Sequence, residues 1–308
     1  MKKDIIRLLD LDKDDCERLF HRAIALKESR RSGSEPMPLR GKTLGLIFEK
    51  PSTRTRLSFE AAMAQLGGTP MFISARDLQM VRDEPVKDTA RVLSRYLDAL
   101  AIRSYSQALV EEFARFSTIP VINALTDLYH PIQVLSDLMT VLEAKGRLQD
   151  IKIAWVGDGN NVANSWINAA AVLGLDLALA CPERYLPSDA ILSAARARGA
   201  QVTVTGEAAE AVSGAEVIYT DVWASMGQEE QAAERKRIFV PFQVNAALLA
   251  AAAENAIVMH CLPAHREEEI TEEVLEGPQS VVWEQSENKL HMHKAVLEVL
   301  IAGDGKYK

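Results

Sequence analysis

The chain has 308 residues, long for one hydrophobic core, and at ~150 residues per domain it points to two. A formal charge of −8 with scattered Lys and Arg argues against a nucleic-acid partner, and the lack of an apolar run near ~20 residues argues against a membrane partner. Met1-Lys2-Lys3-Asp4 lacks the apolar core of a signal peptide, so a cytoplasmic location is expected; the three widely spaced cysteines (Cys16, Cys181, Cys261) suggest neither a disulfide framework nor a zinc knuckle.

Short apolar runs alternate with longer helical patterns along the chain, as in parallel sheets with crossover helices. Strands are expected at 43–48, 69–73, 99–103 and 120–123. An amphipathic helix carrying Leu57, Ala61, Ala64 and Leu66 follows the first, and 87–96 reads as another, with Val92, Leu93 and Tyr96 at helical spacing and Asp83 or Asp88 near its start. His130-Pro131 opens a long helix with Ile132, Leu135, Leu138, Met139 and Leu142 on one side, ending near Lys145-Gly146. After Gln149-Asp150 the pattern restarts, with strands at 151–156, 175–180, 201–205, 217–220 and 257–261, an alanine-rich helix at 246–253 and a last helix from about 294 to 302. The expected fold class is α/β with two parallel-sheet domains, 1–147 and 148–287, and a C-terminal segment 288–308 packing back on the first.

Residues 48–60, Phe48-Glu49-Lys50-Pro51-Ser52-Thr53-Arg54-Thr55-Arg56-Leu57-Ser58-Phe59-Glu60, sit where an apolar strand gives way to a helix. A helix start offers unpaired N–H groups and the positive end of its dipole, so an anion docks there. Ser52, Thr53 and Thr55 add hydroxyl donors, and Arg54 or Arg56 supplies a planar fork; an ordinary capped helix with solvated arginines is the bland alternative. Arg103 ends a strand, and His130 and Gln133 lie one helical turn apart at the start of the long helix. Each also reads as a surface charge or a turn residue when taken alone.

In the second half, Gly157-Asp158-Gly159-Asn160-Asn161 follows a strand and opens a helix, a partial match to the dinucleotide fingerprint. The third glycine is missing, and the next strand ends in Ala180-Cys181-Pro182 without an acidic residue, which disfavours a nicotinamide dehydrogenase. Two asparagines there suit a zwitterionic head group. Asp221, ending an apolar run, suits an ammonium, or else serves as an N-cap. Ser225-Met226-Gly227 reads as a loop that closes over substrate. In His260-Cys261-Leu262-Pro263, adjacency in a strand sends the imidazole and thiol to opposite faces, which argues against a Cys–His nucleophile, and His291 and His293 are too remote in sequence to assume as metal ligands. A packed or substrate-contacting thiol remains, with the backbone carbonyls before Pro263 free to accept hydrogen bonds.

Jointly, the 48–60 turn (FEKPSTRTRLSFE), HPIQ at 130–133, GDGNN at 157–161, DVWASMGQE from Asp221 and HCLPAHR from His260 resemble the transcarbamylase family, and its ornithine branch over its aspartate branch. The likeness runs from about Thr43 to Ala295. It implies two α/β domains with the active site in the cleft, carbamoyl transfer from carbamoyl phosphate to the δ-amine of L-ornithine giving citrulline, no metal or redox cofactor, and a homotrimer in which a neighbouring subunit helps complete each site. It further implies that Ser52, Thr53, Arg54, Thr55, Gln79, Arg103, His130 and Gln133 bind carbamoyl phosphate, that Asn161, Asp221, Ser225 and Met226 hold ornithine, and that Cys261 and Leu262 line the reacting centre. The family often has ENR where this chain has Glu287-Asn288-Lys289; Lys289 would keep the charge at the carbamoyl phosphate site without the two-pronged geometry. Another amine, such as putrescine, an acylated ornithine or aspartate, is the alternative acceptor, and a non-catalytic binding subunit the alternative role.

Overall fold

The computed structural model describes residues 4–224 and 232–303. The chain divides into two compact units: residues up to Met139 joined by those from Asn288 onward, and Thr140–Glu287. Sequence places the first boundary at 147/148, just before the strand pattern restarts. The structural division lies within a helix, because that helix's first half packs with one unit and its second half with the other.

The first unit carries strands β1 (Thr43–Phe48), β2 (Thr69–Ser74), β3 (Ala99–Arg103) and β4 (Val121–Leu125), all parallel, in the order β2-β1-β3-β4. Helices α1 (Lys13–Arg31), α2 (Thr53–Gln65), α3 (Val86–Tyr96), α4 (Gln107–Phe116) and α5 (Pro131–Lys145) alternate with them. The central strands β1 and β3 are almost wholly buried, as parallel strands covered on both faces must be, while edge strand β2 is largely exposed. Register pairs Phe48 with both Ser74 and Arg103, and a shift at Ile102/Arg103 sets Arg103 opposite Leu125, re-aiming its side chain at the strand end.

The second unit carries β5 (Lys152–Val156), β6 (Asp176–Ala180), β7 (Gln201–Thr205), β8 (Val217–Thr220) and β9 (Ile257–His260), again parallel, in the order β7-β6-β5-β8-β9. Its helices are α6 (Asn161–Leu173), α7 (Asp189–Arg196), α8 (Ala208–Val212), α9 (Ala232–Phe239), α10 (Ala246–Leu249) and α11 (Glu272–Leu275), and α12 (Val282–Ala302) leads out of it. The core is built on Ala154, Val156, Ala178, Ile218 and Val258 of the strands with Ala208, Ala211 and Val212 of α8. Among the described residues no helix is long and apolar enough to cross a membrane.

Four expectations need correction. The buried stripe of α2 is Thr55, Phe59, Ala62 and Met63, continued by Leu66; of the apolar positions read from sequence only Leu66 is buried, and Leu57 is 57 % exposed. Likewise α3 buries Thr89 and Ala90 while Val92 and Tyr96 stand exposed, although Asp88 does lie in its first turn, which Pro85 precedes. The last helix begins at Val282, twelve residues before the expected start at 294. Its run Glu284 to Lys289 is polar, and periodicity cannot detect a helix whose buried positions include Gln285, Asn288, Lys289, His291, His293, Lys294 and Glu298. The alanine-rich helix is also shorter than expected: Asn245 caps α10, and the chain turns away after Leu249.

Side-chain bonds within the first unit hold the C-terminal helix to α1 and α2. Arg22 grips Glu298 through two bonds of 2.8 Å, Lys27 donates to Asn288 Oδ1 at 2.7 Å, and Phe59 stacks on His293 with centroids 3.7 Å apart. Phe59→Ala removes a fully buried ring from this seam and is expected to destabilise the first unit by about 3–5 kcal/mol, read as a lower midpoint in chemical denaturation.

Candidate active site

In each sheet the strand order reverses once, between β1 and β3 in the first unit and between β5 and β8 in the second. Loops that leave the C-terminal ends of such strand pairs diverge and open a crevice, the usual ligand position in parallel sheets.

At the first crevice, Ser52 occupies the N-cap of α2 with extended backbone (φ −162°, ψ 114°) and makes no capping bond with its side chain. The amides of the first turn are thus left to a ligand. Thr55 is buried and receives Lys289 Nζ at 3.2 Å and Arg103 Nη1 at 3.5 Å. Lys289 also donates to Gln133 Oε1 at 2.8 Å, while Gln133 Nε2 donates to Asp137 Oδ1 at 2.8 Å, which fixes the orientation of the amide. The turn itself is pinned from behind: Glu49 N donates to the Arg103 carbonyl at 2.9 Å, and buried Lys50 faces Asp127 with its ammonium 4.0 Å from the Tyr105 ring centre. The two arginines differ in their neighbours. Arg56 is engaged by Glu60 at 2.9 Å and lies 3.7 Å over the Phe72 ring, whereas Arg54 is exposed and its guanidinium has no partner among the described residues.

His130 is buried at this crevice, and burial, reinforced by the charges of Lys289 and Arg103 and by His293, holds its pKa well below the ordinary 6.5. It is therefore a neutral imidazole near pH 7, able to donate one N–H without carrying charge. Gln79 is not brought into this cluster. It stands exposed at the start of the short turn Gln79–Arg82, and its side chain makes no hydrogen bond among the described residues.

At the second crevice the network centres on Asp221, which is 7 % exposed. Its Oδ2 accepts from Asn160 Nδ2 at 2.8 Å; its Oδ1 accepts from Val222 N at 2.8 Å and from Cys261 Sγ at 3.2 Å. Asn160 also caps α6 through Oδ1, so the turn and the carboxylate are set by one side chain. Asn161 forms the first residue of α6 and is half-buried. Asp221 starts no helix among the described residues, so the N-cap alternative does not hold. Ser225 and Met226 lie outside the described residues.

Cys261 falls just after the end of β9, so strand alternation does not separate it from His260; the bonding of the imidazole does. His260 Nδ1 accepts from Leu262 N at 2.9 Å and its Nε2 bonds Glu269 Oε1 at 3.1 Å, which assigns the proton to Nε2 and leaves neither nitrogen for Cys261. Asp221, His260 and Cys261 place ligand-type atoms within 4.8 Å of one another, yet the same two bonds engage His260 elsewhere. Leu262 adopts the left-handed region (φ 58°), a conformation that costs a branched residue about 1–2 kcal/mol and that the His260 bond secures. The other two thiols are chemically quiet: burial pushes Cys16 up to about 12, with Asp15, Asp12 and Glu17 adding to it, and burial raises Cys181 as well.

Comparison with known proteins follows this geometry. The family model "Aspartate/ornithine carbamoyltransferase, carbamoyl-P binding domain" matches residues 3–143, and "Aspartate/ornithine carbamoyltransferase, Asp/Orn binding domain" matches 149–300. The chain belongs to the aspartate/ornithine carbamoyltransferase family. It is 58 % identical over 299 residues to the ornithine carbamoyltransferase of Desulfotalea psychrophila, covering 97 % of this chain and 99 % of that one. The solved ornithine carbamoyltransferase of Pyrococcus furiosus superposes with a TM-score of 0.93 at 47 % identity, covering 97 % of each chain. That of Thermus thermophilus gives 0.88 at 39 %, covering 98 % of this chain and 99 % of that one. The first family match contains Ser52, Thr53, Arg54, Thr55, Arg103, His130 and Gln133; the second contains Asn160, Asp221 and Cys261, and also Lys289, whose ammonium nevertheless joins the first cluster.

Sequence reasoning left two pairings of the second crevice unread. Asn160, one of the two asparagines read at this turn, bonds Asp221, and its signal was the capping position itself. Asp158 forms a buried ion pair with Arg235 of α9, a partner 77 positions away that no local pattern announces. Burial raises the Asp158 pKa to about 6, with Arg235 opposing and Asp221 adding to the rise.

His130 and His293 share one consequence for pH. In the folded chain both are held well below 6.5, so below that value the unfolded chain binds protons that the folded chain refuses. Stability should therefore rise with pH up to about 6.5 and fall on acidification. Denaturation midpoints measured from pH 5 to 8 should show a shallower acid decline in His293→Gln than in the parent.

Proposed function

We propose that this chain transfers the carbamoyl group of carbamoyl phosphate to the δ-amine of L-ornithine, giving L-citrulline and phosphate. The observation that carries this reading is the cluster about Thr55, where Arg103 and Lys289 gather beside an uncapped helix start with Arg54 one residue away. Relatives at 52–58 % identity over nearly the whole chain, named ornithine carbamoyltransferase, support the choice of substrates.

The neutral δ-amine attacks the carbonyl carbon, the bond from that carbon to the phosphate-bridging oxygen breaks, and a phosphate oxygen takes the amine proton. Negative charge grows on the carbonyl oxygen, where Thr55, Arg103 and neutral His130 are donors that need no rearrangement. Ser52, Thr53, Arg54 and the first-turn amides of α2 hold the phosphate. Gln133 Oε1, aimed by Asp137, accepts from the carbamoyl NH2, and Lys289 adds a compact charge in place of a fork. In the second unit Asp221 and Asn161 hold the amino acid, with Ser225 and Met226 assigned to it by family resemblance. Cys261 orients the amine through Asp221, and Leu262 lines the reacting centre.

Assembly as a homotrimer and a cytoplasmic location belong to the same reading. Its support is edge strand β2, which leaves Met71 49 % and Phe72 40 % exposed, with Leu57 exposed on α2, apolar groups that a second copy would cover. Gln79 follows that strand on an exposed turn, where it would serve a neighbouring copy's carbamoyl phosphate site.

Purified protein should form citrulline from ornithine and carbamoyl phosphate, and little product from putrescine, acylated ornithine or aspartate; carbamoylation of aspartate alone would overturn the reading. Arg54→Ala should lower turnover by about a hundredfold or more. Phe72→Glu should reduce the mass seen by light scattering from three copies to one, with activity falling in step.

A further inference from the structure

We infer that Arg235 is a positioning residue for the amine-binding half of the site, joining the turn that carries Asn160 and Asn161 to the segment that follows Asp221. This rests on the function proposed above. Arg235 sits in α9, is 3 % exposed, and touches none of Asn160, Asn161 or Asp221 through a hydrogen bond. It donates through Nη2 to Asp158 Oδ2, two residues before Asn160, and through Nε to the carbonyl of Trp223, two residues after Asp221. One edge of a single planar guanidinium thus spans both strand-end loops at the reversal between β5 and β8.

The rest of its environment makes that span rigid. The guanidinium carbon lies 4.3 Å from the Tyr185 ring centre and 5.3 Å from that of Phe239, with Phe239 fully buried. Tyr185 is itself bound to the same turn, because its carbonyl accepts from Gly159 N at 2.8 Å, and a Cβ at Gly159 would lie 2.7 Å from that oxygen. Trp155 Nε1 completes the fastening by donating to the Asp158 carbonyl at 3.0 Å. The direct Asn160–Asp221 bond then falls between two loops whose separation Arg235 has fixed.

Among the described residues, three groups face the Asp158 carboxyl: Arg235 from α9, Asp221 from the end of β8 and the Cys181 thiol from the end of β6. Burial raises its pKa to about 6, so acidification through that range neutralises one partner of Arg235. An effect on ornithine binding should follow the same pH.

The test uses the full chain with Arg235→Lys, which keeps the charge but offers no fork, and Asp158→Asn, which keeps the shape and removes the charge. In both, KM for ornithine should rise on the order of tenfold or more, as expected when a substrate group is misplaced, while KM for carbamoyl phosphate stays at the parent's value. The parent's kcat/KM for ornithine should bend near pH 6, and Asp158→Asn should lack that bend. Unchanged kinetics, or equal rises in both KM values, would overturn the inference. If the parent forms no citrulline, the proposed function fails by itself, and amide hydrogen exchange decides the positioning role: in Arg235→Lys, faster exchange confined to 157–161 and 221–224 upholds it, and exchange equal to the parent's removes it.

Discussion

Parallel pairing makes every strand of a sheet end on one side, and a reversal of strand order forces the two loops at the reversal to part. Among the described residues, the polar clusters gather about those two partings, joined by His130 and Gln133 at the start of α5, Lys289 from α12 and Cys261 after β9. In the first unit the loop after β1 becomes an uncapped helix start and the end of β3 delivers Arg103. In the second the loop after β5 brings Asn160 and the end of β8 brings Asp221. The same topological rule therefore yields a cationic cradle in one sheet and a carboxylate-centred one in the other. The difference lies in a few residues at strand ends, not in the frameworks.

The cationic cradle carries an electrostatic cost. Burial of His130, with the charges of Lys289 and Arg103 beside it, holds its pKa well below the ordinary value, and Gln133 and Thr55 supply neutral acceptors that soften the burial of the ammonium. A ligand bearing negative charge relieves this repulsion, so affinity for an anion and instability of the empty cluster share one origin. Asp221 shows the opposite arrangement: two of its hydrogen bonds come from neutral donors, an amide side chain and a backbone N–H. A carboxylate so placed is satisfied and yet still attracts a cation.

Much of this was legible in the residues. All nine strands described here begin within one residue of the positions that apolar runs suggested, because buried parallel strands are short, continuous and aliphatic. Thr55, Arg103, His130, Gln133, Asp221 and Cys261 could be named because motif and strand end coincide. Helix faces were harder. Leu57, Val92 and Tyr96 mimic a core stripe while facing outward, and α12 hides its helical period under buried polar side chains. The Asp158–Arg235 pair was invisible for a different reason: a contact across 77 positions exists only once the sheet is assembled. Residue types alone left Arg54 and Arg56 both open, the resemblance pointed to Arg54, and Arg56 is the one engaged by Glu60 and Phe72.

Helix α12 has a consequence for synthesis. The first unit is discontinuous, its early residues waiting for Asn288 to pair with Lys27, for His293 to stack on Phe59 and for Glu298 to receive Arg22. On the ribosome, residues 140–287 are all made before those partners emerge, so the later unit has its full sequence while the earlier one still lacks its closing helix. The segment that translation delivers last is the one that finishes what it began first, and a nascent chain arrested before residue 288 would leave Phe59 and Lys27 without their native cover.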